Sequence, residues 1–387
     1  MSYRPFLSHK RKHQGVVRLL KRELQARGAG GWKDTDDLRL GRPFKRGLKR
    51  AIKRETGGFI WWATKDTLDS PVIRKTELPV GLRRARCEPA YPFVPVFVEL
   101  RPGDGEDVAA IAAAIGKRRA DQMLDLNGVV PEPTETEEAL ARRVAREYVQ
   151  QMVEGLPSGR VDIAVTAFRA PTEQHDITLD WRGLFDADLR EPHPGAAATF
   201  VESLADVREG LQRRDGAPAL CVDVNLPLPL AILLGYEWRN TTQLRVTIQA
   251  DQGANPPLVV APTTATNREW PGPRAEDLPG DGPYVLAISV DRTLGDAVGR
   301  YAERQDASGF EHVHVPGRLD ADGVRDLAAH VAGRLSALHS AGKSKHLLLQ
   351  CPAALAAAIG LAANGTGPTW VPFWDGHDDY VTGVHIG

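Results

Sequence analysis

The residues able to do chemistry fall into two groups. Glu77 closes the run Ser70-Pro-Val-Ile-Arg-Lys-Thr-Glu77, and Lys10 and Arg11 follow the apolar run Tyr3–Leu7. A carboxylate beside a ribose can stabilise an oxocarbenium-like centre and orient the hydroxyls. Cations on the same rim can meet a pyrophosphate. The second group comes from repetition. Arg169 and Arg292 each end an apolar run, and Asn225 and Gln350 each stand two positions before a proline. Arginines can meet phosphates, and amides can read base edges. Each has a plainer reading: Glu77 as an exposed helix glutamate, the arginines as solvated or salt-bridged, the amides as helix caps. His312, His314 and His377 show no metal-ligand spacing. Cys87, Cys221 and Cys351 form no CxxC, which argues against a disulfide framework or a zinc site and for a reducing cytoplasm.

The elements that must position the first group alternate strand and helix. Val16, Leu19, Leu20 and Leu24 predict an amphipathic helix over Lys12–Arg27, ended by the glycines near Gly28. Phe44, Leu48 and Ile52 mark a second helix, after a polar loop spanning Trp32–Pro43. Gly57–Ala63 reads as a buried strand. Ser70-Pro71 opens a short helix that should stop before Pro79, putting Glu77 on the carboxyl-end rim where open α/β sheets bind ligands. Phe93–Leu100 reads as the fourth strand, with Pro95 hinting at an edge or a bulge. Glu137–Leu156 is a long helix. Alternating βα units imply a parallel, doubly wound sheet.

This order resembles a TIR domain over residues 1–155. Phe6-Leu-Ser8-His9 is similar to that family's first strand and its serine-containing loop. Asp34 through Gly41, with the helix opened by Phe44, resembles the BB loop. Ser70 to Glu77 resembles the helix carrying the catalytic glutamate, with Ile73 where enzymatic members often have an aromatic residue. The resemblance implies a flavodoxin-like fold and cleavage of the nicotinamide–ribose bond of NAD⁺. Glu77 would be catalytic, and Ser8, His9, Lys10, Arg11, Asp34, Gly41 and Phe44 would bind substrate. It also leaves room for a cyclase making a cyclic ADP-ribose isomer, or for a self-associating adaptor without activity.

Beyond the linker Gly155–Arg160 the sequence repeats itself. Pro227-x-x-Leu-Ala-x-x-Leu-Gly235 matches Pro352-x-x-Leu-Ala-x-x-Ile-Gly360, each after an apolar strand, Ala219–Leu226 and His346–Cys351. Asp162–Arg169 aligns with Val285–Arg292 as strands ending in arginine. Residues 161–387 therefore read as two Rossmann-like units, about 161–275 and 280–387, whose strand-end loops would meet in one composite cleft. With the aromatic strand Thr369–Trp374, this half resembles the SAVED domain, a fusion of two CARF-like units. The resemblance implies binding of a cyclic oligoadenylate, commonly cyclic tri-AMP, and ligand-driven assembly. Arg169, Asn225, Arg292 and Gln350 are the candidate contacts. No cofactor is expected, since NAD⁺ would be substrate and the cyclic nucleotide an activator.

Charge suggests how copies could meet. Residues 1–100 hold 23 Lys and Arg against 10 Asp and Glu, while the rest holds 26 against 40. A basic face suits nucleic acid, anionic lipid or an acidic partner. The acidic half of a second copy is such a partner, so a head-to-tail oligomer or filament is expected, without membrane or long nucleic acid. The first residues lack the apolar core of a signal peptide, and no apolar run approaches the roughly 20 residues of a membrane helix. A cytoplasmic location is therefore expected.

Overall fold

The computed structural model describes residues 4–29, 44–126, 128–156, 159–169, 175–186, 192–214, 218–239, 245–252, 255–260, 270–374 and 380–387. The chain forms two compact units. The first comprises residues 1–158, 172–181 and 209–216, and the second holds the remainder.

In the first unit a parallel sheet runs β1 (Pro5–Ser8), β2 (Gly58–Ala63), β3 (Phe93–Phe97), in that order across the described residues. Phe6, Phe59 and Phe93 are in register across the three strands, with ring centroids 5.3 and 4.8 Å apart. Stacked aromatics of this kind fix register as well as burying area. Helices α1 (Gln14–Ala26), α2 (Phe44–Arg50), α3 (Lys65–Asp69), α4 (Leu78–Cys87), α5 (Gly105–Ile115), α6 (Lys117–Leu124) and α7 (Glu137–Glu154) complete the unit. The apolar stripe Val16, Val17, Leu20 and Leu24 of α1 is buried, and α1 packs on α7. Trp61 and Trp62 are core residues, at 0% and 3% exposure.

Two expectations need correction. Phe93–Phe97 is the third strand among the described residues, not the fourth, and the last named strand of the sheet; its outer side meets Val129, whose N–H donates to the Pro95 carbonyl at 2.8 Å. The helix opened by Pro71 does not stop before Pro79. It widens into a π turn over Ile73–Glu77 and continues as α4, with Pro79 in its first turn. The missing Pro N–H is tolerated there because the wider turn shifts the hydrogen-bond register.

The second unit contains the repeat. Its first half carries β4 (Arg160–Thr166); β5 (Ile177–Asp180) belongs to the segment of the first unit; then follow α8 (Ala196–Gln212), β6 (Ala219–Asn225), α9 (Leu228–Glu237), β7 (Arg245–Gln252) and β8 (Asn255–Val260). Its second half carries β9 (Arg274–Asp277), β10 (Gly282–Val290), α10 (Ala297–Arg304), β11 (Ala307–Val315), α11 (Ala321–Ser340), β12 (Lys345–Gln350), α12 (Ala353–Ala362), β13 (Thr369–Trp374) and β14 (Tyr380–Ile386). The order β4-β6-β7-β8 recurs as β10-β12-β13-β14, each with three parallel strands and an antiparallel last one. Helices α9 and α12 start alike, at Pro227 and Pro352, whose φ values are −56° and −59°. Both are buried on nearly every side, Pro229–Gly235 against Ala354–Gly360, as befits helices inside a core. The sheet edge β9 has only exposed residues, three of them charged, which discourages pairing with another chain.

Candidate functional site

Ser8 is the last residue of β1, and Glu77 the last of the π turn that follows β2. The turn brings the two together: Ser8 Oγ donates to Glu77 Oε2 at 2.6 Å. Both are buried, at 2% and 7% exposure. Glu77 is thus a held, buried side chain and not an exposed helix glutamate. Single-turn π segments occur often at functional sites, because they re-aim one side chain without ending the helix.

The other residues expected on this rim behave differently. His9 turns Nδ1 back to the Leu7 carbonyl at 3.0 Å. Lys10 is half-buried and Arg11 exposed, and neither forms an ion pair among the described residues. Lys12 instead makes the ionic links: it pairs with Asp66, just after β2, and lies 3.9 Å from Glu99, just after β3. Glu99 also accepts the Lys65 N–H at 3.1 Å. Three carboxyl-end loops are tied by this network, and the bond to Asp66 raises the Lys12 pKa. The neighbouring His13 is pushed below its ordinary value, first by burial and then by the Lys12 charge. Asp34 and Gly41 lie outside the described residues, as does the Phe44 side chain, although Phe44 opens α2. Ile73 is a core residue at 3% exposure, so no ring stands at that position of the rim.

In the second unit the candidate residues sit at or beyond the carboxyl ends of the repeated strands. Arg169 and Arg292 lie in loops beyond β4 and β10, not at the strand ends, and both are exposed. Asn225 and Gln350 are the last residues of β6 and β12 and half-buried. The repeat pairs them: Thr166 is in register with Asn225, and Ser289 with Gln350. Arg292 N–H closes a three-residue turn on the Val290 carbonyl at 2.8 Å, around Asp291 with φ of 67°. Left-handed geometry at a non-glycine costs on the order of 1–3 kcal/mol and collects at ligand sites. Trp238 is fully buried, while the Trp370 and His385 rings lie with centroids 4.6 Å apart, tilted by 54°. His377 and the Trp374 side chain lie outside the described residues.

Sequence reasoning missed the polar cluster next to Gln350. Ser289 Oγ is 2.8 Å from His312 Nε2 and 2.9 Å from His314 Nδ1. The signal was the alternation His312-Val-His314 in a strand, which puts both rings on one face. Among the described residues no three His, Cys, Asp or Glu side chains are placed to hold a metal ion. No described helix is long and apolar enough to cross a membrane.

Residues 6–144 match the family model of the TIR domain. No curated protein matches the chain by sequence. Among solved structures, the Acinetobacter baumannii Cap4 SAVED/CARF-domain containing receptor with the cyclic trinucleotide 3'3'3'-cAAA aligns over 97% of this chain and 98% of its own, with TM-score 0.49 and 12% identity. Its complex with 2'3'3'-cAAA gives the same values. The Moraxella osloensis Cap4 receptor aligns over 97% and 99%, with TM-score 0.44 and 12% identity.

Proposed function

Proceeding from a TIR domain at residues 6–144, joined to a duplicated α/β half, we propose that the chain is an NAD⁺ hydrolase switched on by a cyclic oligonucleotide. The observation that carries the enzymatic part is the buried Ser8–Glu77 pair. Nicotinamide leaves as a neutral molecule, so its departure needs little acid catalysis. It does need negative charge fixed beside the ribose, which a preorganised carboxylate supplies without reorganisation. Glu77 is catalytic in this reading, Ser8 positions it, and Lys10 and Arg11 hold the pyrophosphate. His9, Asp34, Gly41 and Phe44 complete the substrate site.

The duplicated half is a SAVED-type receptor, with the two units about 161–275 and 280–387 forming a composite cleft. Cyclic tri-AMP is the proposed ligand. Arg169 and Arg292 meet its phosphates, and Asn225 and Gln350 its bases. Binding favours a head-to-tail assembly of copies, in which the basic TIR domain of one copy meets the acidic half of the next. The ligand acts through its higher affinity for the assembled state. A soluble cytoplasmic defence effector that depletes NAD⁺ is the consistent biological reading.

The test is a screen of cyclic di-, tri- and tetranucleotides for activation of nicotinamide release, with product chromatography and with Glu77→Gln alongside. Ligand-dependent ADP-ribose that vanishes in Glu77→Gln is the expected result. A cyclic ADP-ribose isomer as main product identifies a cyclase instead. Full activity without ligand and independent of protein concentration removes the switch. A cellular effect that survives Glu77→Gln identifies an adaptor.

A further inference from the structure

Ser289, His312 and His314 form a second chemically organised cluster, at the carboxyl ends of β10 and β11. Ser289 is fully buried, His312 is buried and His314 half-buried. Ser289 is in register with His314 on one side and Gln350 on the other, so the three share one face and one level of the sheet. His312, two residues before His314, lies on the same face. Gln350 Oε1 is buried without a hydrogen-bond partner. An acceptor left this way carries a cost unless something donates to it.

We propose that this cluster is the anion-receiving subsite of the cleft, and that it takes up one proton when a phosphodiester of the cyclic oligonucleotide binds. The inference rests on reading the second unit as a receptor for that ligand.

The argument is one of donor and acceptor counting. A serine hydroxyl has one hydrogen and two lone pairs, and a neutral imidazole has one N–H and one bare nitrogen. With both rings neutral, one donates to Oγ while the hydroxyl donates to the other. The cluster is then closed: uncharged, and with its one O–H already used. Add a proton to the accepting ring and both rings donate to Oγ, which frees the O–H. The cluster now carries one positive charge, and a charged donor is what a phosphodiester requires.

The surroundings keep the proton away until an anion arrives. Burial, the facing His314 and then Arg274 of β9 all lower the proton affinity of His312. Arg274 is otherwise engaged over the Phe310 ring, 6.0 Å from its centroid. An incoming phosphodiester reverses the balance, since it stabilises the imidazolium it touches. Proton and anion therefore bind together, and each favours the other by the same factor. The first half of the repeat has no counterpart. Among the described strands of that half, Thr166 stands where Ser289 stands, and β4, β5 and β6, RVDIAVT, ITLD and ALCVDVN, contain no histidine.

Titration calorimetry tests this with the full chain and 3',3',3'-cyclic tri-AMP, at one pH in HEPES and in Tris, buffers that differ in ionisation enthalpy. Wild type should take up about one proton per ligand, and its affinity should fall up to about tenfold for each unit of rising pH. His312→Gln should bind with no proton uptake and a flat pH profile, and His314→Gln is the second variant. Each variant is first checked for its native near-UV circular dichroism. Wild-type binding without proton uptake, or uptake that persists in both variants, overturns the inference and leaves the receptor reading standing. Failure of wild type to bind any cyclic di-, tri- or tetranucleotide overturns the receptor reading, and the inference with it.

Discussion

Gly235 and Gly360, equivalent residues of the repeat, each lie against the backbone of the other's helix. A Cβ on Gly235 would fall 2.0 Å from the Ala357 carbonyl oxygen, and a Cβ on Gly360 would fall 2.0 Å from the Ile232 carbonyl oxygen. The two contacts are related as the two halves are, since Ile232 and Ala357 are themselves equivalent in the motif. Neither obstacle is a side chain that can swing away. Gly235→Ala or Gly360→Ala should each cost about 3 kcal/mol through overpacking, and the pair less than twice that, because either one already parts the helices. Thermal unfolding checks this, with a fall of roughly 10 °C expected for each single variant.

The Ser8–Glu77 bond gives the second prediction. Glu77→Gln should lower kcat for NAD⁺ cleavage by about 10³-fold, the scale of losing a group aimed at developing charge. Ser8→Ala leaves the carboxylate in place but loosens its aim, and misplacement of this kind costs up to about 10²-fold. The loss should fall on kcat, with KM little changed, since Ser8 touches Glu77. A rise in KM alone for Ser8→Ala would instead mark Ser8 as a substrate contact. Nicotinamide release in the presence of activator measures both.

Acid stability should report on His346. Burial, aided by the His385 charge, lowers its pKa to about 4 from the ordinary 6.5, while Tyr301 Oη stays 2.8 Å from its Nδ1. A histidine held neutral in the fold contributes stability that is complete above pH 6.5. That contribution is lost as the pH falls from 6.5 towards 4, because the unfolded chain binds the proton first. His346→Phe should unfold at lower urea near pH 7.5, by about 1 kcal/mol for the lost hydrogen bond. It should also lose less stability than wild type between pH 6.5 and 4.5. Urea midpoints across that range should therefore converge or cross.

Thiol chemistry gives a simple control on the fold. Cys87 is exposed and Cys221 buried, and burial pushes the Cys351 thiol up to about 12. Since the thiolate is the reactive form, a thiol-disulfide reagent should titrate one cysteine in the native protein and three after denaturation. Two or more fast-reacting thiols in native protein would contradict the packing around β6 and β12.

The sequence carried the periodic elements well, because periodicity is what burial imposes. The helix expected over Lys12–Arg27 is α1 (Gln14–Ala26), and Gly57–Ala63 is β2 less one residue. The duplicated strands and the two proline-led helices were visible for the same reason. What stayed hidden depends on register or on local geometry without a periodic trace. Ser8 and Glu77 are 69 residues apart, and only the π turn makes them touch. The proline rule misplaced the end of that helix because a widened turn satisfies it without a break. The strand arginines fell two or three residues outside their strands, since an apolar run does not mark where pairing stops. Ser289 reaches His312 and His314 through interstrand alignment, which no single run of letters encodes.

The repeat is therefore even in its scaffold and uneven at its rim. A receptor with two like halves would accept a ring either way up. With a serine and two histidines in one half and Thr166 at the matching place in the other, a ring bound as proposed would acquire a front and a back. Whatever docks on that ring inherits its direction, and a stack of such units would be polar from its first member onward.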